Sequence, residues 1–322
     1  MIEELASNLR VIALPLRTNF RGLVMRESAL FEGPQGWAEF APFNEYDAEE
    51  SIPWLNSALE AAFAPRPTLY RTHVKVNATI PATNDPDVIE DLLTRYAGCE
   101  VAKIKLSGDI IQDLERVKRV RSIAPDIRLR FDVNGAWSVE QAIADSYALY
   151  ENFAGIEYIE QPCATVEELR EFKERQQVKA LVCGDEVVRK AKSQHDLSDA
   201  VDLIMLKVAP LGGIQRAHEI ASLHKKPVVI SSALESAVGI SYGAVLAASF
   251  VQQDYAAGLA TGELFQSDIA SNPIVGGEIE VQAITPRAGL EVSSERREWW
   301  QNRLREVWRA GSHHYAQAKG WA

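Results

Sequence analysis

The sequence predicts an α/β protein built on a (β/α)8 TIM-type barrel, complete or modified, with an α+β capping domain. Between about residues 74 and 262 one unit repeats: a short apolar strand, a turn, and a stretch of helical periodicity. A doubly wound sheet uses the same unit, but no Gly-x-Gly-x-x-Gly follows the first strand, so a barrel is favoured. The eight predicted strands are Val74–Ile80, Val101–Leu106, Arg128–Asn134, Gly155–Glu160, Ala180–Asp185, Asp202–Val208, Pro227–Ser232 and Ala257–Thr261.

Residues 1–73 predict the capping domain rather than another βα unit. Two β-like runs, Val11–Leu16 and Trp37–Phe40, precede the stretch Ala48–Phe63, in which apolar residues recur at helical spacing. No low-complexity linker separates this part from the predicted barrel at 74–283, so we expect the two to be docked.

The C-terminal segment, residues 284–322, is expected to pack back on the capping domain. Trp300, Leu304 and Trp308 fall on one face of a predicted helix, with Ser294 as its N-cap. An apolar helix face needs a surface to cover, and the body of the protein itself is the expected one.

Composition and charge exclude several classes of protein. Of 322 residues, 47% are hydrophobic and 25% charged, which is typical of a globular chain with a core and excludes a disordered or collagen-like one. A net charge of −11 repels nucleic acids and anionic membrane surfaces. Three cysteines without Cys-x-x-Cys spacing indicate reduced thiols. Glu3 and Glu4 stand where a signal peptide is basic, and no apolar stretch is as long as a membrane span, so we expect a cytoplasmic protein.

Charged residues close the middle strands of the predicted barrel. The chemistry of a parallel barrel collects at the C-terminal ends of its strands, so these positions form the candidate site. They recur at steps of 22 to 28 residues, one βα unit each, from strand two to strand six. The set is Lys103, Lys105, Asp132, Asn134, Glu160, Asp185 and Lys207.

Strand periodicity directs these side chains into the barrel. Lys103 and Lys105 share one face of strand two, whereas Ile104 lies on the face that meets the outer helices. The same alternation turns Asp132 inward, together with Arg130 two residues before it. Charges in a packed core of low dielectric need a partner or an ion.

Three acids between lysines predict a divalent cation bound by Asp132, Glu160 and Asp185. Carboxylates that converge from adjacent strands repel one another, and Mg²⁺, a hard cation that prefers oxygen, is the simplest compensation, with Mn²⁺ as a substitute. A metal and a second ammonium would disfavour the charged forms of Lys105 and Lys207 and so favour a lysine base. Taken singly, each residue also fits a structural ion pair, but the joint pattern favours a site.

The series of strand-end motifs resembles the muconate-lactonizing branch of the enolase superfamily. A capping-domain motif of that superfamily is similar to residues 36–42, so the resemblance covers almost the whole chain. It implies a lysine base and a Mg²⁺-stabilised enediolate, chemistry for which this superfamily is itself the standard example. The matching motifs are Lys103-x-Lys105, Asp132-x-Asn134, Glu160-Gln161-Pro162, Asp185-Glu186 and Lys207.

Within that branch, residues 128–137, 158–163 and 229–236 look most like the o-succinylbenzoate synthase family. The resemblance implies a small-molecule carboxylate as the partner: 2-succinyl-6-hydroxy-2,4-cyclohexadiene-1-carboxylate, which loses water to give o-succinylbenzoate in menaquinone biosynthesis. It further implies that Lys105 removes the α-proton and then protonates the leaving hydroxyl, while Lys207 stabilises the anion from the opposite side.

The resemblance also implies supporting roles for other residues. Lys103 would orient Lys105 and tune its pKa, and Ser231 would contact the substrate. Arg130 and Asn134 would hydrogen-bond the metal-binding carboxylates, as residues around a metal site commonly do. The loops at 18–22 and 43–46 would close over the mouth of the barrel.

Other interpretations stay open at this stage. Muconate cycloisomerases and N-acylamino acid racemases share the two lysines and three acids, whereas a dipeptide epimerase is disfavoured because residues 258–262 lack an Asp-x-Asp. A Schiff-base aldolase would use Lys207, with Ser231 and Ser232 available to a phosphate. A barrel that binds a ligand without chemistry is the last alternative, and the oligomeric state is left open.

Overall fold

A computed structural model describes residues 1–191, 193 and 196–322. The chain begins with helix α1 (Ile2–Ser7) and an antiparallel sheet of β1 (Arg10–Phe20), β2 (Leu23–Gly33) and β3 (Gly36–Phe40), with β2 in the centre. Helix α2 (Ile52–Phe63) follows and packs on β3. We call these elements the N-terminal layer. The α+β character is as predicted, but the central strand β2 was missed.

The barrel then forms from alternating strands and helices. Among the described residues, seven paired strands of this barrel are parallel and lie in sequence order from β5 to β11, which confirms the predicted barrel in a modified form. The elements are β4 (His73–Lys75), β5 (Ala78–Ile80), α3 (Pro86–Arg95), β6 (Val101–Lys105), α4 (Ile110–Ile123), β7 (Arg128–Asp132), α5 (Val139–Asn152), β8 (Ile156–Glu160), α6 (Val166–Arg175), β9 (Val182–Gly184), α7 (Glu186–Lys190), β10 (Leu203–Lys207), α8 (Val208–Leu211), α9 (Ile214–His224), β11 (Val228–Ser231) and α10 (Ala237–Ala248).

The eighth barrel position is much shorter than the predicted strand Ala257–Thr261. Ala257 forms a parallel bridge to Val76 on one side, and Gly258 forms one to Ser231 on the other, so this pair of residues joins the two edges of the sheet. A 3-10 helix, Thr261–Leu264, follows where a complete barrel has its eighth helix.

The first predicted strand, Val74–Ile80, is divided into two. Only β5 pairs with the barrel strand β6, whereas β4 pairs antiparallel with β12 (Glu278–Glu280). The chain therefore changes partners at residues 76–77, and β4 and β12 lie at the N-terminal end of the barrel.

The last part of the chain returns to the N-terminal layer. The Ala13 N–H donates to the Leu290 carbonyl (2.8 Å), and the Val292 N–H donates to the Val11 carbonyl (3.1 Å), which extends the sheet beside β1. Helices α11 (Ser294–Val307) and α12 (His313–Ala318) follow. The N-cap of α11 is Ser293 rather than the predicted Ser294.

Trp300 anchors helix α11 to the N-terminal layer. Its side chain is fully buried, its ring meets Phe40 edge-on at a centroid distance of 5.9 Å, and its Nε1–H donates to Glu27 Oε2 (2.9 Å). The expectation that this helix packs on the body of the protein is confirmed. Across the described residues, no helix is both long and apolar enough to cross a bilayer.

Arg130 belongs to the lower interior of the barrel. It donates to Glu157 Oε2 (2.6 Å), to Asn77 Oδ1 (3.0 Å) and to the carbonyl of Ala256 (2.7 Å), and its guanidinium lies 5.0 Å from the ring centroid of Tyr158. These partners correct the expectation that Arg130 bonds the three strand-end carboxylates. Arg130 does face inward, but it lies two residues below the end of β7, so its hydrogen bonds join the strands beneath the site.

Replacing Arg130 is expected to destabilise the barrel far more than replacing its neighbour Arg128. Both arginines bond Glu157, but the Arg130 side chain is fully buried and that of Arg128 is 48% exposed. Arg130→Met leaves Glu157 with Arg128 alone and takes the donor from Asn77 Oδ1 and the Ala256 carbonyl, which costs about 1–3 kcal/mol for each buried group left unsatisfied. Arg128→Met removes an exposed pair worth about 0–1 kcal/mol. Urea unfolding of the two variants measures the difference, and equal losses would contradict the structural role assigned to Arg130.

Candidate active site

The strand-end acids meet at the mouth of the barrel. In the parallel register, Lys105 lies opposite Asp132, and Asp132 lies opposite Glu160. Glu160 lies opposite Cys183, two residues before Asp185 on the next strand. All three acids are buried. The predicted convergence of side chains from strands two to five is therefore present.

Three lysines neutralise these acids. Lys103 Nζ lies 3.0 Å from Glu160 Oε2 and 3.4 Å from Asp132 Oδ2. Lys105 Nζ donates to Asp132 Oδ2 (2.5 Å), and Lys207 Nζ donates to Asp185 Oδ2. Both lysines of strand two thus face the interior, as the alternation of β6 predicts.

Lys105 and Lys207 lie on opposite sides of the mouth. Strand β6 is the second of the eight barrel positions and β10 is the sixth, counting β5 as the first and residues 257–258 as the eighth. Positions four steps apart in a ring of eight face each other across its axis. Ser231, at the end of β11, lies next to Lys207 in the register of β10 and β11.

Asn134 ties the end of strand three to the lysine of strand two. Its Oδ1 accepts from Lys105 Nζ (2.7 Å), its backbone N–H donates to Asp132 Oδ1 (3.1 Å), and its Nδ2 donates to Glu186 (3.3 Å). Its φ of +52° is a left-handed conformation that asparagine tolerates better than most residues. Asn134 thus contacts a strand-end carboxylate, as expected, through its backbone.

Gln161 is a positioning residue to which the sequence reasoning gave no role of its own. Its Oε1 accepts from the backbone N–H groups of Asp185 (2.9 Å) and Val187 (3.4 Å), and its Nε2 donates to the carbonyl of Cys163 (2.8 Å). The buried amide therefore fixes the turn from which Asp185 projects. The signal available in the sequence was an amide directly after a strand-end acid.

Protein charges shift the pKa values of the two outer lysines in opposite directions. Burial, helped by Lys103, lowers the pKa of Lys105 even though Asp132 opposes the shift. Burial also acts on Lys207, but Asp185 and Glu160 outweigh it and raise the pKa of that lysine. The pKa of Lys105 shifts in the expected direction, whereas that of Lys207 does not, because Asp185, Glu160 and Glu186 all favour its charged form while Lys103 opposes the charged form of Lys105.

The lysines stabilise the charges of the three acids unequally. Burial, together with Asp132 and Asp185, raises the pKa of Glu160 to about 8. For Asp132 burial acts in the same direction, but Lys105 and Lys103 outweigh it and lower the pKa. Glu160 is thus the acid whose negative charge the surrounding protein compensates least.

The donor set fits a hard divalent cation. Asp132, Glu160 and Asp185 supply carboxylate oxygens from three successive strands, the ligand type that such cations prefer. In the part of the chain that the structure describes, no three His, Cys, Asp or Glu side chains are already gathered into a coordination shell. Lysine ammonium groups lie against these oxygens instead, so a cation would take over part of their neutralising role.

The N-terminal layer forms one wall of the cavity at this mouth. The cavity is about 20 Å³ in volume, room for about one water molecule, and reaches Asp185 and Lys207. Both loops that the sequence indicated contribute to its lining, together with helix α2. The lining residues from the N-terminal layer are Arg21, Phe43, Tyr46 and Trp54.

Two family models match the chain. Residues 11–62 match the enolase N-terminal domain-like family, and residues 87–296 match the enolase C-terminal domain-like family. Solved structures agree with this fold. The L-Ala-D/L-Glu epimerase from Bacillus subtilis has a TM-score of 0.69 at 21% identity, over 88% of this chain and 96% of that one. The muconate lactonizing enzyme from Pseudomonas putida has a TM-score of 0.66 at 18% identity, over 92% and 98%.

Curated relatives are closer in sequence. The o-succinylbenzoate synthases of Mycobacterium ulcerans (strain Agy99) and Mycobacterium tuberculosis (strain ATCC 25618 / H37Rv) are each 42% identical to the chain over 314 residues, which is 94% of either partner. Identity of this extent covers both the N-terminal layer and the barrel. The chain therefore belongs to the enolase superfamily and, within it, to the family of the o-succinylbenzoate synthases.

Proposed function

We propose that the chain catalyses the Mg²⁺-dependent syn-dehydration of 2-succinyl-6-hydroxy-2,4-cyclohexadiene-1-carboxylate to o-succinylbenzoate, a step of menaquinone biosynthesis. The observation that carries this proposal is the pair Lys105 and Lys207 on opposite sides of one buried mouth, with three acids on the strands between them. The 42% identity to curated o-succinylbenzoate synthases favours this substrate over those of the racemases and cycloisomerases.

The first task of the site is to remove a weakly acidic proton. The α-proton of a carboxylate leaves only if the enediolate that forms is stabilised at the same time. In the proposed reaction Lys105, as a neutral amine, takes this proton from the carbon that bears the carboxylate. Asn134 Oδ1 and Asp132 hold the Lys105 amine at the end of β6.

The second task is to expel the hydroxyl group from the same face. The electron pair of the broken C–H bond forms the new ring double bond, the C–O bond breaks, and the Lys105 ammonium returns its proton to the departing oxygen. Water is released, and Lys105 ends as the neutral amine that began the reaction. A single lysine serves both steps because the two groups leave from one side of the ring.

Lys207 and Lys103 have different proposed roles. Lys207 faces the substrate from the opposite side and remains an ammonium, which stabilises the delocalised anion. Lys103 contacts Glu160 and Asp132 and so orients the acids beside Lys105. Ser231, next to Lys207 in the sheet, is proposed to contact the substrate.

Asp132, Glu160 and Asp185 are proposed to hold Mg²⁺, with Mn²⁺ as a substitute. Their all-oxygen donor set suits either ion. When bound, the cation supplies positive charge next to the substrate carboxylate.

We also propose that the protein works in the cytoplasm on a small carboxylate and without nucleic acid. All three cysteines are free, and Cys163 and Cys183 are buried as thiols, which suits a reducing compartment. The net charge of −11 opposes binding to phosphate backbones.

The two outer lysines should each be indispensable. Lys105→Ala and Lys207→Ala are each expected to lower turnover by about 10²–10⁴-fold or more, since each removes a proton carrier or a stabilising charge. The loss of diene absorbance on aromatisation follows the reaction, and near-ultraviolet circular dichroism checks the fold. Lys118→Ala, at an exposed lysine of α4, is the matched control. Full activity in either active-site variant would reject the mechanism, and borohydride trapping of Lys207 with activity surviving EDTA would favour the aldolase.

Activity should depend on the cation. EDTA is expected to abolish turnover, and Mg²⁺ or Mn²⁺ to restore it. Asp185→Asn should weaken Mg²⁺ binding measured by calorimetry, whereas Asp91→Asn, at an exposed acid paired with Arg95, should leave it unchanged. Turnover that persists in EDTA, or equal Mg²⁺ affinity in both variants, would count against the proposed ligands.

A further inference from the structure

Two buried acids of the N-terminal layer reach across to helices of the barrel. Glu39 lies on β3 and Glu60 on α2, and both are less than a tenth exposed. Glu60 meets the first turn of α9, and Glu39 meets that of α10. These two helices follow β10 and β11, the strands that end in Lys207 and Ser231. We call Glu39 and Glu60 the interdomain caps.

Glu60, on α2 of the N-terminal layer, caps the barrel helix α9. Its Oε1 accepts from the backbone N–H of Ile214 (2.5 Å) and from the Tyr242 hydroxyl (2.7 Å), while its Oε2 lies 3.4 Å from the Gln215 nitrogen. A carboxylate at a helix N-terminus satisfies free N–H groups and meets the positive end of the helix dipole. Gly213 precedes the helix with a φ of +114°, and a Cβ there would lie 2.6 Å from Glu60 Oε1. The approach of the carboxylate thus requires glycine at this position.

Four other helices of the barrel have local caps. Helices α3 to α6 each begin with a side chain of their own chain segment that accepts from the first turn, and α9 has no local side-chain cap. The local caps are Asp85, Asp109, Ser138 and Thr165. Helix α9, which follows the strand β10 that ends in Lys207, therefore depends on the N-terminal layer for the cap of its first turn.

Glu39 makes the second contact, on α10, which also has a local cap, since the Ser236 hydroxyl accepts from the Val238 N–H (3.2 Å). Glu39 accepts from the Ser236 N–H (3.1 Å), from the Ser236 hydroxyl (2.5 Å) and from the Gly239 N–H (2.9 Å). A Cβ at Gly239 would lie 2.5 Å from Glu235 Cβ and 2.8 Å from Glu39 Oε2, so this turn of the helix packs closely on both acids. Nearby, Arg26 of β2 donates to the Leu234 carbonyl (3.2 Å) and lies over the ring of Phe43 at 4.4 Å.

Both contacts act close to the reacting groups. Only α8 and two glycines separate Lys207 from the first residue of α9. Ala233, between Ser231 and the start of α10, lines the cavity, and Phe43 lines it from the N-terminal layer. A shift of either helix against the layer would move one wall of the cavity relative to the other.

We propose that Glu39 and Glu60 are positioning residues that set the Lys207 side of the barrel mouth against the cavity wall formed by the N-terminal layer. This inference rests on the proposed dehydration for its kinetic readout. The hydrogen bonds from the backbone N–H groups of α9 and α10 to the two acids can be measured without any substrate. Glu60 acts mainly through Lys207, and Glu39 acts mainly through the cavity wall at Ala233.

The test compares Glu60→Gln and Glu39→Gln with Glu27→Gln. Glu27 is the matched control, because it lies on β2 of the same layer but accepts from Arg296 and Trp300 of α11, away from the barrel. Each interdomain variant is expected to lower kcat/KM by about 10–100-fold, the effect of misplacing a catalytic group by about an ångström. Glu60→Gln should act chiefly on kcat and Glu39→Gln chiefly on KM, while Glu27→Gln should leave both unchanged.

Amide hydrogen exchange provides the readout that does not need activity. Exchange should accelerate at Ile214 and Gln215 in Glu60→Gln, and at Ser236 and Gly239 in Glu39→Gln, with neither region affected in Glu27→Gln. Glu39→Asp, which keeps the charge but withdraws the carboxylate by one methylene group, should show the same pattern more weakly if Glu39→Gln folds poorly.

The outcomes separate this proposal from the proposed function. If the wild-type protein is inactive but the variants show the expected exchange pattern, the dehydratase assignment is wrong, whereas the contacts of the interdomain caps with α9 and α10 are supported. Accelerated exchange with unchanged kcat/KM, or an equal kinetic loss in Glu27→Gln, would reduce the two acids to structural contacts and overturn the positioning role.

Discussion

Burial of like charge at the mouth of the barrel is the constraint on which the rest of the structure depends. Asp132 and Glu160 are neighbours in register, and Asp185 follows on the next strand. Carboxylates so placed repel one another strongly once water is removed. Lys103 lies against two of them and holds them together. The packing below and the N-terminal layer above keep this cluster dry, which makes its charges effective in chemistry.

Strand alternation made the site predictable because a parallel barrel fixes where its strands end. Once Lys105, Asp132 and Glu160 were assigned to the ends of consecutive strands, period-two geometry left one direction for their side chains. The partners of Arg130 depend on contacts remote in sequence. A register irregularity between β7 and β8 accompanies the inward position of Glu157, and no local pattern signals it. The pKa of Lys207 likewise depends on a close approach by Asp185 that spacing alone does not reveal.

The errors in the predicted fold have a common origin in polar or very short strands. Strand β2 was missed because it buries Arg26 and Ser28, which interrupt the apolar alternation. Arg26 donates to the carbonyl groups of Leu234, Ala41 and Pro42, which lie in other segments, so the strand is stable although its pattern is weak. Strand β4 has only three residues and is defined as a strand by its pairing with β12, some two hundred residues later. Pairing at such separation is not visible in a local window.

The return of residues 290–307 to the first sheet has a consequence for how the chain is made. On the ribosome, β1 to β3 emerge before the barrel, whereas the segment that pairs with the other edge of β1 and the tryptophan that packs beside Phe40 are synthesised only after it. The barrel lies between these two parts in the sequence, so it must fold while the first sheet still exposes apolar surface. The first sheet of the nascent chain therefore exposes apolar surface while the barrel is being synthesised, and chaperone protection would matter during that time.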